Sequence, residues 1–239
     1  MLDFRHEHKY IMPEHELMAI EHRLSAFMCS DPHVSDEGVY SIRSLYFDDY
    51  HDRYLYENID GVDERSKWRI RVYDRSSDYI SLERKIRKGD MISKQSCVID
   101  EGVYRLVKNG KSAIDKGNPP LLNMFIEEIK MHILHPAVIV EYERTPFVCN
   151  SGRTRITFDR NIRSSPDVDA LLSDRDIASR PVLVSGQNLL EVKYDSFLPD
   201  HIAHAIGTGR MRRETFSKYY LARRFPYNGL RFTGIRRTV

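Results

Sequence analysis

Apolar and polar side chains alternate along much of this chain, and a period of two predicts strands. The alternation is clearest near residues 4–10, 39–48, 67–73, 79–87, 91–99, 136–144, 153–159 and 188–195, which gives eight candidate strands. Elsewhere the apolar period lengthens to that of a helix. After Pro13, a residue suited to a helix start, Leu17, Ile20, Leu24 and Phe27 recur at helical spacing. Leu122, Phe125, Ile126, Ile129 and Ile133 form one stripe over 121–134. Pro199 opens a short helix carrying Ile202 and Ile206, and 217–225 reads as the last helix. Residues 108–120 and 164–186 read as surface connections, the second long and mobile. No repeat, low-complexity block or Pro/Gly-rich linker divides the chain, so one domain is expected over 1–225, with a basic tail at 226–239.

Successive strand residues point to opposite faces. In 67–72, Trp68, Ile70 and Val72 oppose Lys67, Arg69 and Arg71. Glu83, Lys85 and Arg87 share a face against Leu82, Arg84 and Ile86, a less clean set. Glu191, Lys193 and Asp195 oppose Leu190, Val192 and Tyr194; Arg153, Arg155, Thr157 and Asp159 oppose Ile156 and Phe158; Arg5, Glu7 and Lys9 share a side. One such strand is an ordinary half-solvated strand. Over five strands the pattern differs, because Arg and Glu recur in tight x-R-x-R and E-x-K runs where Thr, Ser and Gln would be usual. The amphipathic helices must cover the apolar faces, which leaves the charged faces to meet each other. Eight strands can close around a ligand. The expected fold is α+β: an eight-stranded antiparallel β tunnel, a closed barrel, with helices packed on the outside.

Charges enclosed in this way need partners or a ligand. The inward candidates are Lys9, Arg69, Arg71, Lys85, Lys94, Arg144, Arg155 and Lys193, against Glu7, Glu83, Asp159 and Glu191. An excess of about four positive charges calls for a polyanion. Arginine offers flat bidentate donors to phosphate oxygens, and lysine compact charge. The few carboxylates suit a hard divalent cation that bridges protein and phosphate.

Composition sharpens this. Lys plus Arg total 37 against 35 Asp plus Glu, so the net charge is only +2 and any strong positive field is local. Nucleic acid is therefore not the expected partner. Cys29, Cys97 and Cys149 are odd in number and widely spaced, which suggests neither a disulfide framework nor a zinc site, and a reducing compartment. No apolar run approaches the ~20 residues of a membrane span, and "MLDFRHEHKY" lacks the apolar segment of a signal peptide. A cytoplasmic protein with no transmembrane segment is expected. His6 and His8 read as packing or surface residues, Trp68 as core, Asp48 and Asp49 as a turn or cap, and "RMRRE" (210–214) and "RRF" (223–225) as solvated helix faces.

The segments "FRHEHKY", "SLYFDD", "KWRIRVY", "LERKIRKGDMISK", "EYERTPFV", "RITFDR", "LLEVKY" and "FSKYY" follow in order the pattern of VTC domains. Each is weak alone; eight in sequence order are specific. The chain thus resembles, over roughly residues 4–225, the polyphosphate polymerase domains of the triphosphate tunnel metalloenzyme (CYTH-like) superfamily. The resemblance implies an eight-stranded tunnel that transfers the γ-phosphate of ATP to a growing inorganic polyphosphate chain with Mn²⁺ or Mg²⁺. It implies that Arg69, Arg71, Lys85, Arg144 and Arg155 hold the reacting phosphates, that Lys9, Lys94 and Lys218 guide the chain, and that Glu191 binds the metal; their inward positions add Lys193 to the chain-guiding set and Glu7 to the metal site. The wider superfamily begins E-x-E-x-K, whereas here Arg5 takes the first position, which argues against a generic triphosphatase. Two other functions remain open: a tunnel triphosphatase acting on tripolyphosphate or a nucleoside triphosphate, and a non-catalytic polyphosphate-binding module.

Overall fold

A computed structural model gives the fold and describes residues 3–31, 34 and 38–224. The chain runs β1 (Arg5–Pro13), α1 (Glu14–Ser25), β2 (Cys29–Ser30), β3 (Tyr40–Asp48), α2 (Arg53–Ile59), β4 (Glu64–Tyr73), β5 (Ile80–Lys88) and β6 (Met91–Ile99). It continues through α3 (Glu101–Lys108), α4 (Pro120–His132), β7 (His135–Cys149), β8 (Thr154–Ser165), β9 (Arg180–Pro181), β10 (Gln187–Tyr194), α5 (Asp200–Ile206) and α6 (Lys218–Arg224). All eight expected strands are present, and β7 and β8 run beyond their expected ends. The class is α+β, with one antiparallel sheet that among the described residues has ten strands, in the order β2-β7-β3-β4-β5-β6-β1-β10-β8-β9. Because β7 also pairs with β8, the eight long strands return on themselves as a ring. The β7–β8 turn needs Gly152: its φ is +63, and a Cβ there would meet the Phe197 carbonyl oxygen at 2.3 Å.

The apolar core lies outside this ring, because the long strands turn most of their apolar residues outward. Leu17, Ile20 and Leu24 of α1 and Ile202 and Ile206 of α5 pack on Tyr10, Ile156, Leu190 and Val192. On another flank Phe125 of α4 stacks on Trp68 at 4.8 Å. Burying such side chains contributes about 1.5–3 kcal/mol each. Arg84, the charged residue on that face, lies over the Trp68 ring at 5.4 Å.

Several expectations are corrected. Phe27 lies beyond the end of α1 and is 46% exposed. Ile133 takes a left-handed conformation just after α4, which turns it off the stripe and leaves it 74% exposed. The 164–186 connection is anchored: Ala170 and Leu171 are buried, and the buried Arg43 donates to the Ala170 and Ser173 carbonyls at 2.8 and 2.7 Å. Residues 212–214 of "RMRRE" are not helical; the Glu214 amide donates to the Lys9 carbonyl at 2.9 Å. α2 and α3 lie outside the helices that the apolar spacing predicts. Asp48 and Asp49 do serve as caps: Asp48 accepts from the Tyr54 and Leu55 amides, and Asp49 from the His51 and Arg53 amides. The expected tail and Phe225 lie outside the described residues.

Candidate functional site

Strand alternation dictates where the charges go. With the apolar faces outward, the polar faces of eight strands look into a common cavity of about 190 Å³. It is lined by Arg5, Glu7 and Lys9 of β1, Arg65, Lys67, Arg69 and Arg71 of β4, Lys85 and Arg87 of β5, and Lys94 of β6. Arg144 of β7, Arg155 of β8, Glu191 and Lys193 of β10, and Lys218 of α6 complete the charged lining. The tyrosines Tyr40, Tyr46, Tyr73 and Tyr142 fill between them. The structure thus brings together all eleven residues assigned roles from the sequence. Glu83 and Asp159, the other two expected acids, lie beneath the lining and hold its arginines.

The strand register fixes each guanidinium. Arg69 Nε donates to Glu83 Oε2 at 2.7 Å and Arg69 Nη1 to the Tyr46 hydroxyl at 3.0 Å. Arg71 donates to Ser44 Oγ at 3.2 Å and to the Tyr142 hydroxyl at 3.1 Å. Arg144 grips Asp159 with two nitrogens, at 2.6 and 2.8 Å, while Lys218 Nζ reaches the same carboxylate at 2.6 Å. Arg155 donates to Asp31 at 2.9 Å and to the Tyr40 hydroxyl at 3.2 Å. Glu7 sits among Lys85 at 2.7 Å, Lys9 at 3.0 Å and Lys193 at 3.6 Å. Glu191 contacts Lys193 and lies 3.5 Å from Lys9.

These pairings set the protonation states. Burial pushes the Glu7 carboxyl up, as does Glu191, yet Lys85, Lys9 and Lys193 together hold it well below the usual range. Burial also opposes ionisation of Glu83, Asp159 and Glu191, and the adjoining cations overcome it in each. The Tyr46 phenol is likewise lowered against burial, by Arg69 and Arg71. The lysines divide. Lys9 is raised despite burial by Glu7 and Glu191. Lys85 is lowered to about 7, chiefly by burial. Lys67 is lowered to about 7 by burial, then by Arg65 and Lys9.

Glu7 and Glu191 are ionised, mutually close and open to the cavity. One or two carboxylates completed by phosphate oxygens are how Mg²⁺ is commonly held, so the pair fits a divalent ion that arrives with its ligand. Among the described residues no cluster of three or more His, Cys, Asp and Glu could hold a metal by itself. His6 and His8 pack on Tyr194, at ring distances of 4.9 and 5.3 Å.

The cations not assigned from the sequence are Arg5, Arg65, Lys67 and Arg87. The signal was available, since Lys67 shares the Arg69 face, Arg87 the Lys85 face and Arg5 the Lys9 face. A surface of fixed N–H forks and ammonium groups, with the acids recessed, can bind and align phosphate groups.

A family model described as the VTC domain matches residues 4–225. No curated protein sequence matches the chain. Among solved structures, a putative adenylyl cyclase from Hippeastrum, described as having a dominant triphosphatase activity, is 12% identical with a TM-score of 0.52. That match covers 93% of this chain and 95% of the other. A putative adenylate cyclase from Bacillus halodurans is 10% identical over 98% of this chain and 99% of its own, with a TM-score of 0.49. The Mimivirus capping enzyme triphosphatase is 11% identical over 87% of each chain, with a TM-score of 0.40.

Proposed function

This chain belongs to the VTC domain family, and on that premise we propose that it is a polyphosphate polymerase, transferring the γ-phosphate of ATP to the end of an inorganic polyphosphate chain. The observation that carries the reading is the convergence of arginines and lysines from seven strands and one helix on one enclosed cavity. Phosphoryl transfer asks little covalent chemistry of a protein and much alignment and charge stabilisation. Arg69, Arg71, Lys85, Arg144 and Arg155 hold the donor phosphates and the acceptor end in line. Their guanidinium planes are already set by Glu83, Asp159, Asp31 and the tyrosine hydroxyls, so little ordering is left to the moment of reaction. Lys9, Lys94, Lys193 and Lys218 track the chain. A Mn²⁺ or Mg²⁺ ion at Glu191 and Glu7 supplies charge neutralisation on the phosphate oxygens when bound.

The test is to incubate the purified protein with ATP and Mn²⁺ and resolve the products. ADP together with a long chain on a polyphosphate-stained gel is the expected result. Orthophosphate without a chain identifies a tunnel triphosphatase instead. Tight binding of a nonhydrolysable ATP analogue with no product identifies a binding module. Arg69→Ala should lower kcat/KM by roughly 10²–10³; unchanged turnover and unchanged triphosphate affinity in that variant would overturn the assignment of Arg69.

A further inference from the structure

The roles above leave four cavity cations unused, and they are neighbours. On the inward face Arg65 pairs in register with Arg87, Arg87 with Ile92, and Ile92 with Arg5, one row across four strands. In the next row Lys67 pairs with Lys85, and Lys85 with Lys94. Directly opposed like charges, with Cβ atoms about 5 Å apart, destabilise a sheet. Two consecutive rows of them need a compensating anion.

Part of the compensation is internal. Glu7 meets Lys85 at 2.7 Å, and Glu83 meets Lys94 at 2.9 Å. Arg5, Arg65 and Lys67 have no ion pair among the described residues. Lys67 Nζ donates to Asn58 Oδ1 and Ser217 Oγ, both at 3.0 Å, and Arg65 to the Val62 carbonyl. Arg87 donates to the Gly89 carbonyl at 2.8 Å and lies 3.6 Å from Asp90, whose side chain is almost fully in solvent. Burial and Arg87 lower the Arg65 pKa, as repulsion across the pair requires. This end of the cavity reaches solvent: the Arg87 side chain is 34% exposed, whereas that of Arg71, deeper along β4, is 6%.

Along β4 the cations from Arg65 to Arg71 span about 20 Å of extended strand. A triphosphate held among Arg69, Arg71 and Arg144 leaves the outer stretch free. The two carboxylates of the lining, Glu7 and Glu191, are drawn instead to Lys9, Lys85 and Lys193. We propose that Arg5, Arg65, Lys67 and Arg87 form an outer subsite that holds, without a metal ion, the free end of an inorganic oligophosphate whose other end lies among Arg69, Arg71 and Arg144. The inference rests on the reading that the cavity takes phosphate chains, and it adds that chain length is sensed at this mouth.

The test is titration calorimetry in EDTA with tripolyphosphate and with a long-chain polyphosphate. Wild type should bind the long chain more tightly. The double variant Arg65→Gln/Arg87→Gln should weaken the long chain about tenfold and tripolyphosphate by less than about threefold. Removing an opposed like-charge pair should leave the ligand-free melting temperature unchanged or higher. Arg5→Gln, on a separate strand, should alone cost the long chain about threefold should the double variant fold poorly. Equal losses for the two ligands, or none, overturn the subsite. Binding in EDTA involves no turnover. A protein that binds as described but makes no polymer therefore overturns the polymerase reading alone, and one that makes polymer while the variants bind normally overturns the subsite alone.

Discussion

Lys67 shows how a single side chain records the crowding of like charge around it. Burial, Arg65 and Lys9 lower its pKa to about 7 from an ordinary 10.5, and Asp48 and Glu57 pull weakly the other way. Between those two values the unfolded chain binds more protons at this position than the folded chain does. The contribution of Lys67 to stability therefore rises with pH across that window and is constant below it. Lys67→Met should be more stable relative to wild type near pH 6.5 than near pH 10, by denaturant unfolding at both. A gap that does not change with pH would contradict the assignment. The side of β4 on which Lys67 lies was legible in the sequence, because alternation fixes it. Which cations are neutralised was not legible: Glu83 serves Arg69 and Lys94 because of the β4–β5–β6 register, which pairs residues far apart in the chain.

Among the elements, α2 and α6 are held by one carboxylate at the end of β3. Asp48 accepts from the Tyr54 and Leu55 amides of α2 and from the Tyr219 hydroxyl of α6, and it is fully buried. A seven-residue helix does not persist by its own propensity. Asp48→Ala strands these donors and should cost about 2–3 kcal/mol, read as a lower melting temperature. It should also impair turnover, because Lys218 reaches the cavity from α6. Full stability in Asp48→Ala would show that packing alone holds the two helices. The same dependence explains why α2 escaped sequence reading, since its cap lies on the preceding strand. α3 did carry a local signal: Asp100 caps the Val103 amide at 2.7 Å, and Tyr104 and Val107 face the core. Gly102 in its first turn weakens that pattern.

For the whole molecule, the eight strands and their polar faces were legible because each is a local period-two pattern, from Arg5 to Tyr194. Closure was inferred from the need to shelter charge, and the strand that achieves it could not be named: β7 must pair both with β3 and with β8. The circumference is unevenly fastened. β1 meets β10 through eight residue pairs and β6 through two, Arg5 with Ile92 and His6 with Met91.

That short junction makes the ring a bracelet with a clasp. Hydrogen–deuterium exchange should begin at residues 5–6 and 91–92, ahead of 189–193, and should slow there when a phosphate chain is bound, because Arg5 stands at the clasp. Uniform protection around the circumference would remove the distinction. Breaking the ring at its weakest point means parting two rungs of a ladder while the other strand pairings stay fastened.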